Sequence, residues 1–161
     1  MARIRVLVVD DSVVIRRLLT DSLRADPAIE VVGIAANGQL AQAKIAQLAP
    51  DLVTMDIEMP VMNGIEAVRA LRAAGHRMPV IMFSTLTERG AAATLDALAA
   101  GATDYVTKPS NVGSLTEALA RVAAELLPRI KALVPHARPG GTSPGGRSAP
   151  RARGAAPRPA G

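Results

Sequence analysis

The chain has no cysteine among its 161 residues and no long apolar run. Without cysteine the protein forms neither disulfide bonds nor a thiol-dependent site, which is typical of a reducing compartment. A membrane-spanning helix needs about 20 consecutive apolar residues, and no segment approaches that length. The amino-terminal apolar run, IRVLVV, is also too short for a signal peptide. We therefore predict a cytoplasmic protein that is not inserted in a membrane.

Acidic residues are missing from residues 135–161. That tail contains five arginines, six prolines and six glycines, whereas residues 1–134 contain fourteen lysines and arginines and fourteen aspartates and glutamates. The formal net charge of +5 belongs to the tail, so we do not expect nucleic acid as a partner of this chain. Such a tail buries too little apolar surface to order itself. We predict a folded domain over residues 1–128 and a disordered linker or tail over residues 129–161; a weak contact of the tail with an acidic partner is the alternative.

Short apolar runs alternate with segments of helical period through the first 134 residues. The apolar runs predict strands near residues 4–10, 30–35, 51–56, 79–84 and 104–107. The intervening segments predict helices near residues 13–25, 38–48, 64–74, 87–100 and 114–127. Ser12 is the expected N-cap of the first helix, and Pro128 is expected to end or kink the last one. Successive strand–helix units of this kind predict a doubly wound parallel sheet with helices on both faces.

Polar side chains follow the predicted strands at the sheet edge where such folds bind ligands. These side chains are Asp10, Asp11, Asp56, Ser84 or Thr85, and Lys108. Neighbouring carboxylates repel one another unless a hard divalent cation such as Mg²⁺ lies among their oxygens. The lysine would then face an anion that the metal recruits. The pattern therefore predicts a site that handles a phosphoryl group.

Four motifs carry a resemblance to a known family. They are VLVVDDS, TMDIEMPVMNG, VIMFSTLT and VTKPS, and in this order and spacing the chain resembles the receiver domain of two-component response regulators over residues 3–127. The segment FSTLTERGAAATLDALAAGATDYVTKPS and the tail are similar to the amino-terminal half of chemotaxis-type protein-glutamate methylesterases, the CheB family. The resemblance implies a flavodoxin-like fold with five parallel strands in the order 2-1-3-4-5.

The resemblance also assigns chemical roles to individual residues. Asp56 matches the phosphoacceptor, which takes a phosphoryl group from a phosphohistidine on a chemotaxis-type histidine kinase. Asp11 matches the direct metal ligand, Asp10 acts largely through a bound water, and the backbone carbonyl of Glu58 completes the protein's share of the coordination. The implied cofactor is Mg²⁺ or Mn²⁺, which suits this set of oxygen ligands.

A switch that senses phosphorylation is implied as well. Lys108 would neutralise one phosphoryl oxygen and Ser84 would hydrogen-bond another, while Tyr105 would move between inward and outward positions. The Lys108–Pro109 bond would be cis, an isomer that costs little before proline. The surface of helix 4, strand 5 and helix 5 would change in response. The output domain, absent from this chain, would be a methylesterase that acts on chemoreceptors.

Other interpretations remain open from the sequence alone. One is a stand-alone receiver, and another is the receiver of a DNA-binding response regulator. A hydrolase that forms an aspartyl phosphate fits less well, because no second carboxylate follows Asp56 in the right place and no cap is inserted. Residues 141–145 match the G-x-S-x-G motif of esterases, but no strand precedes Ser143 and Pro144 follows it, so we predict no nucleophile there. Whether this chain is itself an enzyme is left open.

Overall fold

The computed structural model describes residues 3–85, 87–108 and 114–135. Strands and helices alternate along these residues. The strands are β1 (Ile4–Val9), β2 (Ile29–Ala35), β3 (Leu52–Asp56), β4 (Val80–Ser84) and β5 (Asp104–Thr107). The helices are α1 (Val13–Arg24), α2 (Gly38–Leu48), α3 (Gly64–Ala73), α4 (Glu88–Ala100) and α5 (Leu115–Leu133).

The five strands form one parallel sheet in the order β2-β1-β3-β4-β5. The chain leaves β1 towards β2 on one side and returns to place β3 on the other, so the strand order reverses between β1 and β3. Loops that follow these two strands diverge there and leave a crevice at the carboxyl edge of the sheet. The predicted doubly wound, flavodoxin-like fold and its strand order are confirmed.

Each face of the sheet carries its own apolar core. Helices α1 and α5 cover one face, with Leu19, Leu23 and Leu126 packed against the strands. Helices α2, α3 and α4 cover the other face, where Ile45 and Leu71 are buried. Because both faces are covered, the inner strands are apolar at consecutive positions rather than alternating, as is usual for parallel sheets. Within the described ranges, no helix combines the length and apolar character that crossing a bilayer demands.

Every helix begins at a polar residue whose side chain accepts a hydrogen bond from the backbone of the first turn. These N-caps are Ser12, Asn37, Asn63, Thr87 and Ser114. Asn63 also forms a reciprocal capping box with Glu66. N-caps of this kind stabilise a helix by about 1 kcal/mol each. The prediction of Ser12 as the first cap is confirmed.

The sequence predicted that the last helix ends near residue 127 and that Pro128 ends or kinks it. The predicted end is wrong, because α5 continues through Pro128 to Leu133. The reason lies in packing beyond the proline. Ile130 is fully buried and Val134 nearly so, both within the core under α1 and α5. Lys131 Nζ also lies 2.6 Å from Asp26 Oδ2. These contacts offset the local cost of an interior proline, and the helix crosses the boundary expected at residue 128.

Candidate functional site

The candidate site lies at the carboxyl edge of the sheet, where β1 and β3 run side by side. Val9 pairs with Met55, so the residues that follow, Asp10 and Asp56, stand next to each other on neighbouring strands. Asp10 is 0% exposed and Asp56 3% exposed, whereas Asp11 is exposed. Two carboxylates buried this deeply are rare without a compensating positive charge.

Lys108 supplies one positive charge. Its Nζ lies 2.8 Å from Asp56 Oδ1 and 3.7 Å from Asp10 Oδ2. The backbone N–H of Lys108 donates to the Ser84 carbonyl at 2.7 Å, which fixes the start of the β5–α5 connection against the end of β4. The predicted convergence of Asp10, Asp56 and Lys108 is thus present in the structure.

One oxygen of each buried carboxylate remains without a hydrogen-bond partner. Asp10 Oδ1 accepts from the backbone N–H of Ser12 at 2.9 Å, but Asp10 Oδ2 and Asp56 Oδ2 are buried and make no hydrogen bond. Oxygens of Asp10, Asp11 and Asp56 lie within 4.8 Å of one another. A carboxylate donor set of this kind suits a hard cation such as Mg²⁺ or Mn²⁺. The residues present therefore fit a divalent metal.

The electrostatics of the site point the same way. Burial raises the pKa of Asp56 to about 7; the Lys108 hydrogen bond opposes this rise and the neighbouring Asp10 charge adds to it. Burial also raises the pKa of Asp10. For Lys108, burial works to lower the pKa, but Asp56 and Asp10 outweigh it and the pKa is raised. A single ammonium thus does not fully offset the carboxylates, and a divalent cation would favour their charged forms.

A glycine sets the path of the loop after β3. A Cβ atom on Gly64 would lie 2.1 Å from the Asp56 carbonyl oxygen, and the Gly64 N–H donates to the Ile57 carbonyl at 2.7 Å. The sequence predicted Asn63–Gly64 as a turn that opens the third helix, and Asn63 is indeed the α3 cap. What the sequence did not indicate is that the start of α3 rests directly on the backbone of Asp56.

Glu58 lies in the same loop, two residues beyond Asp56. Its side chain is exposed and pairs with Arg89 of α4, with Glu58 Oε2 3.6 Å from Arg89 Nε. The pair spans the entrance between the β3–α3 loop and the start of α4. Both side chains are well exposed, so the pair adds little to stability.

Ser84 and Thr85 end β4, and only one of them is buried. Ser84 is 6% exposed, while Thr85 is exposed and its hydroxyl lies 3.3 Å from that of Thr87. A cavity of about 60 Å³ lies between Asp56, Ser84 and Lys108. The buried hydroxyl of Ser84 is therefore the one that shares a cavity with the carboxylate and the lysine.

Tyr105 lies on β5 and is half exposed. Its ring borders a separate cavity of about 660 Å³ that also meets Ser84, Thr94, Leu95 and Leu98. The aromatic side chain thus stands at the outer side of a cavity that reaches back to the end of β4.

Two predictions from the sequence fall outside the described residues. The cis Lys108–Pro109 bond involves Pro109, and the esterase-like motif around Ser143 lies in the tail. Both remain predictions. The linker predicted over residues 129–161 also lies outside the described residues from residue 136 onwards, and that part of it stays a prediction.

Sequence reasoning missed two residues beside the site. Arg16 Nη1 donates to the Asp10 carbonyl at 2.9 Å and so holds the turn that carries Asp10 and Asp11. Thr54 is fully buried two residues before Asp56, and its hydroxyl makes no hydrogen bond. A hydroxyl within the apolar run LVTM was the available signal for Thr54; no comparable signal marked Arg16.

Comparisons with known proteins agree with this geometry. The response regulator receiver domain family matches residues 6–120. The chain is 69% identical over 135 residues to the protein-glutamate methylesterase/protein-glutamine glutaminase of Nocardioides sp., covering 84% of this chain and 37% of that protein. It is 49% identical over 131 residues to the protein of the same name from Trichodesmium erythraeum, covering 81% and 37%.

Solved structures give the same result. The response regulator domain of Thermotoga maritima CheB is similar with a TM-score of 0.73 and 47% identity, over 83% of this chain and 97% of that domain. A chain of the CheX–CheY–BeF3–Mg complex from Borrelia burgdorferi is similar with a TM-score of 0.61 and 31% identity, over 76% and 89%.

The chain therefore belongs to the family of response regulator receiver domains. Within that family it is a receiver domain of the protein-glutamate methylesterase, or CheB, type. It spans 37% of the length of the two curated relatives named above.

Proposed function

We propose that the protein is a phosphorylation switch in which Asp56 accepts a phosphoryl group in a divalent-metal-dependent reaction. The observation that supports this most is the state of the Asp56 carboxylate. One of its oxygens is held by Lys108 at 2.8 Å, while the other is buried without a partner beside Asp10. A carboxylate with one fixed and one unpaired oxygen is suited to bond to an incoming electrophile.

Asp10, Asp11, Asp56 and the backbone carbonyl of Glu58 would hold the metal. When bound, Mg²⁺ supplies positive charge that stabilises the phosphoryl oxygens during transfer. The exposed Asp11 would be the direct ligand, whereas the buried Asp10 would act largely through a bound water. The choice of these residues follows the receiver family, and the clustering of the three aspartates supports it.

The protein's own residues then carry the transfer. An oxygen of Asp56 bonds to the phosphorus of a phosphohistidine, and the P–N bond of the donor breaks, leaving an acyl phosphate and an imidazole that takes up a proton. The Lys108 ammonium, which contacts Asp56 before phosphorylation, then pairs with an oxygen of the new phosphoryl group. Ser84 donates a hydrogen bond to another oxygen across the cavity that these residues share.

The switch would connect this site with the α4–β5–α5 surface. When Ser84 turns towards the phosphoryl group, it leaves the cavity that Tyr105 borders. Tyr105 then moves from its half-exposed position into that cavity, and the surface formed by α4, β5 and α5 changes. Such a change is a shift in the populations of two arrangements.

The partners follow from the CheB type of the domain. The phosphodonor would be a chemotaxis-type histidine kinase. The segment after residue 135 would link the receiver to a methylesterase output domain, which the names and lengths of the relatives support. That output domain would act on chemoreceptors. The complete protein would act in the cytoplasm. The alternatives, a stand-alone receiver or one with a DNA-binding output domain, predict no esterase downstream.

Phosphorylation by a small donor tests the proposal. The protein is incubated with acetyl phosphate in Mg²⁺ or in EDTA, and its mass is measured over time. We expect one added phosphoryl group in Mg²⁺, none in EDTA, and none for Asp56→Asn. Asp96→Asn, which alters an exposed carboxylate on α4, is the matched control and should be labelled like the wild type. Equal labelling of Asp56→Asn and the wild type would refute the proposal.

A further inference from the structure

Three buried side-chain oxygens in the described part of the chain make no hydrogen bond, and they come from neighbouring positions. They are Asp10 Oδ2, Thr54 Oγ1 and Asp56 Oδ2. Side chains alternate along a strand, so Thr54 and Asp56 leave β3 on the same face. Thr54 pairs in register with Val8 of β1, and Asp10 follows Val8 at the same two-residue interval. The three side chains therefore lie on one face of the sheet. If a row is the set of residues that pair in register across the strands, Thr54 lies in one row, and Asp10 and Asp56 lie in the next row towards the carboxyl edge.

The row that contains Thr54 is otherwise apolar. Val8 of β1 and Ile81 of β4 flank Thr54 in register, and both are fully buried in the core under α1 and α5. An unpaired hydroxyl in such a layer costs free energy, and valine would fill the same space without that cost. Asp10 and Asp56 come two residues later on the same face, and each has one buried carboxylate oxygen without a hydrogen bond.

Each carboxylate accepts a hydrogen bond through one oxygen only, and Asp10 Oδ2 has in addition a longer ion-pair contact of 3.7 Å with Lys108 Nζ. Asp10 is held by the Ser12 N–H and Asp56 by Lys108. A carboxylate that binds a metal is usually held by further hydrogen bonds, and loss of such a bond weakens metal binding by about 10–100-fold. Thr54 is placed on the core side of the pair, opposite the crevice, where such a donor would lie.

We propose that Thr54 is a positioning residue for the metal site: its hydroxyl donates through one water to the Asp10–Asp56 carboxylate pair and holds the pair in the orientation that a divalent cation requires. The inference rests on the metal-dependent function proposed above. It assigns to β3 a role beyond carrying Asp56, because the strand also supplies the donor that supports the site from the core side.

Two conservative substitutions separate the hydroxyl from the methyl group of Thr54. Thr54→Val keeps the shape and removes the hydroxyl, whereas Thr54→Ser keeps the hydroxyl. Ser22→Ala is the control, since Ser22 is a buried hydroxyl of α1 that bonds to the Leu18 carbonyl at 2.8 Å. Mg²⁺ is titrated by calorimetry into the unphosphorylated full chain, and the thermal midpoint of each variant is measured in EDTA.

We expect the Kd for Mg²⁺ to rise about tenfold in Thr54→Val and to stay within twofold of wild type in Thr54→Ser and Ser22→Ala. The midpoint of Thr54→Val in EDTA should equal or exceed that of the wild type, because the fold itself does not need the hydroxyl. Thr54→Ala also lacks the hydroxyl and should show the same loss of affinity, which keeps the test valid should the valine variant not fold.

Two results would overturn the inference while leaving the proposed function intact. One is a Kd of the hydroxyl-free variants within twofold of the wild type. The other is a Thr54→Ser variant as weak as Thr54→Val, which would assign the effect to packing of the methyl group. If the wild type itself does not bind Mg²⁺, the proposed function fails and the inference fails with it.

Discussion

The Lys108 ammonium lies 2.8 Å from Oδ1 of Asp56 and leaves Oδ2 of the same carboxylate buried and unpaired. The two oxygens of the proposed phosphoacceptor are therefore not equivalent. One is held by a fixed cation on the β5 side, and the other lies next to Asp10. This asymmetry determines how the site should respond to substitution and to pH.

Replacing Lys108 by methionine should slow phosphorylation at neutral pH. The Lys108 hydrogen bond lowers the pKa of Asp56 against the opposing effect of burial, so its loss raises that pKa above about 7. At Mg²⁺ concentrations too low to hold Asp56 in its charged form, a larger fraction of Asp56 is then protonated and unreactive at pH 7. We expect labelling by acetyl phosphate under these conditions to recover as the pH is raised from 7 to 9, where the deprotonated carboxylate again binds Mg²⁺. Lys44→Met, which changes a lysine of α2 outside the site, should label normally. A rate for Lys108→Met that is low and independent of pH would contradict this reasoning.

Asp56→Asn should stabilise the metal-free protein at high pH. Burial raises the pKa of Asp56 from 3.8 to about 7, so between these values the folded state keeps a proton that the unfolded state has released. Folding stability therefore falls as the pH rises from 3.8 to 7. The loss is on the order of 1 to 4 kcal/mol, and asparagine avoids it. In EDTA the variant's thermal midpoint should exceed that of the wild type at pH 8, with the difference shrinking at pH 5. A difference that grows towards pH 5 would show that the sign is wrong.

Gly64→Ala should destabilise the domain and impair phosphorylation. The added Cβ would meet the Asp56 carbonyl oxygen at 2.1 Å, so the loop must move away from the carboxylate. Overpacking of this kind costs about 1–3 kcal/mol. Gly33→Ala is the control, because its Cβ would meet only the ends of two side chains, Leu48 Cδ1 at 2.9 Å and Leu7 Cδ1 at 3.4 Å, and no backbone atom. Denaturant unfolding of both variants decides the point, and equal stabilities would mean that the close approach at Gly64 is not tight.

Shortening the chain should reveal where the folded domain ends. Removing residues 136–161 should leave the thermal midpoint and the labelling unchanged. Ending the chain at residue 128 removes Ile130 and Val134, which are buried in the core, and should lower the midpoint by well over 5 °C. The substitution Ile130→Ala alone should cost about 2–5 kcal/mol. A chain ending at residue 128 that is as stable as the full chain would show that the end of α5 does not support the fold.

The position of the site could be predicted because it depends on chain order. Apolar runs ending in Asp10, Asp56 and Lys108 already indicate parallel strands whose carboxyl ends meet, and the structure places these three side chains within hydrogen-bond or ion-pair distance. The carboxyl ends of parallel strands lie at one edge of a sheet whatever the details of packing. The sequence therefore carried the essential geometry.

The features that were missed depend on packing between distant parts of the chain. The helix-ending effect of Pro128 is a local preference, and it is overridden because Ile130 and Val134 pack into a core formed by other elements. The need for glycine at position 64 arises from the Asp56 backbone eight residues earlier. The apolar spacing of Leu126, Ile130 and Val134 does continue the helical period past Pro128, whereas the contact at Gly64 has no periodic or compositional signal. Local propensity yields to tertiary burial in such places.

The position of the phosphoryl group gives the most direct measurement. Borohydride reduces an aspartyl phosphate to homoserine, so the labelled wild-type protein can be reduced, digested and sequenced by tandem mass spectrometry. We predict homoserine at position 56 alone among the aspartates, in samples labelled with Mg²⁺ and not in samples labelled in EDTA. Homoserine at Asp10, Asp11 or any other aspartate in place of position 56, or equal amounts with and without the metal, would contradict the assignment of Asp56 as a metal-dependent phosphoacceptor.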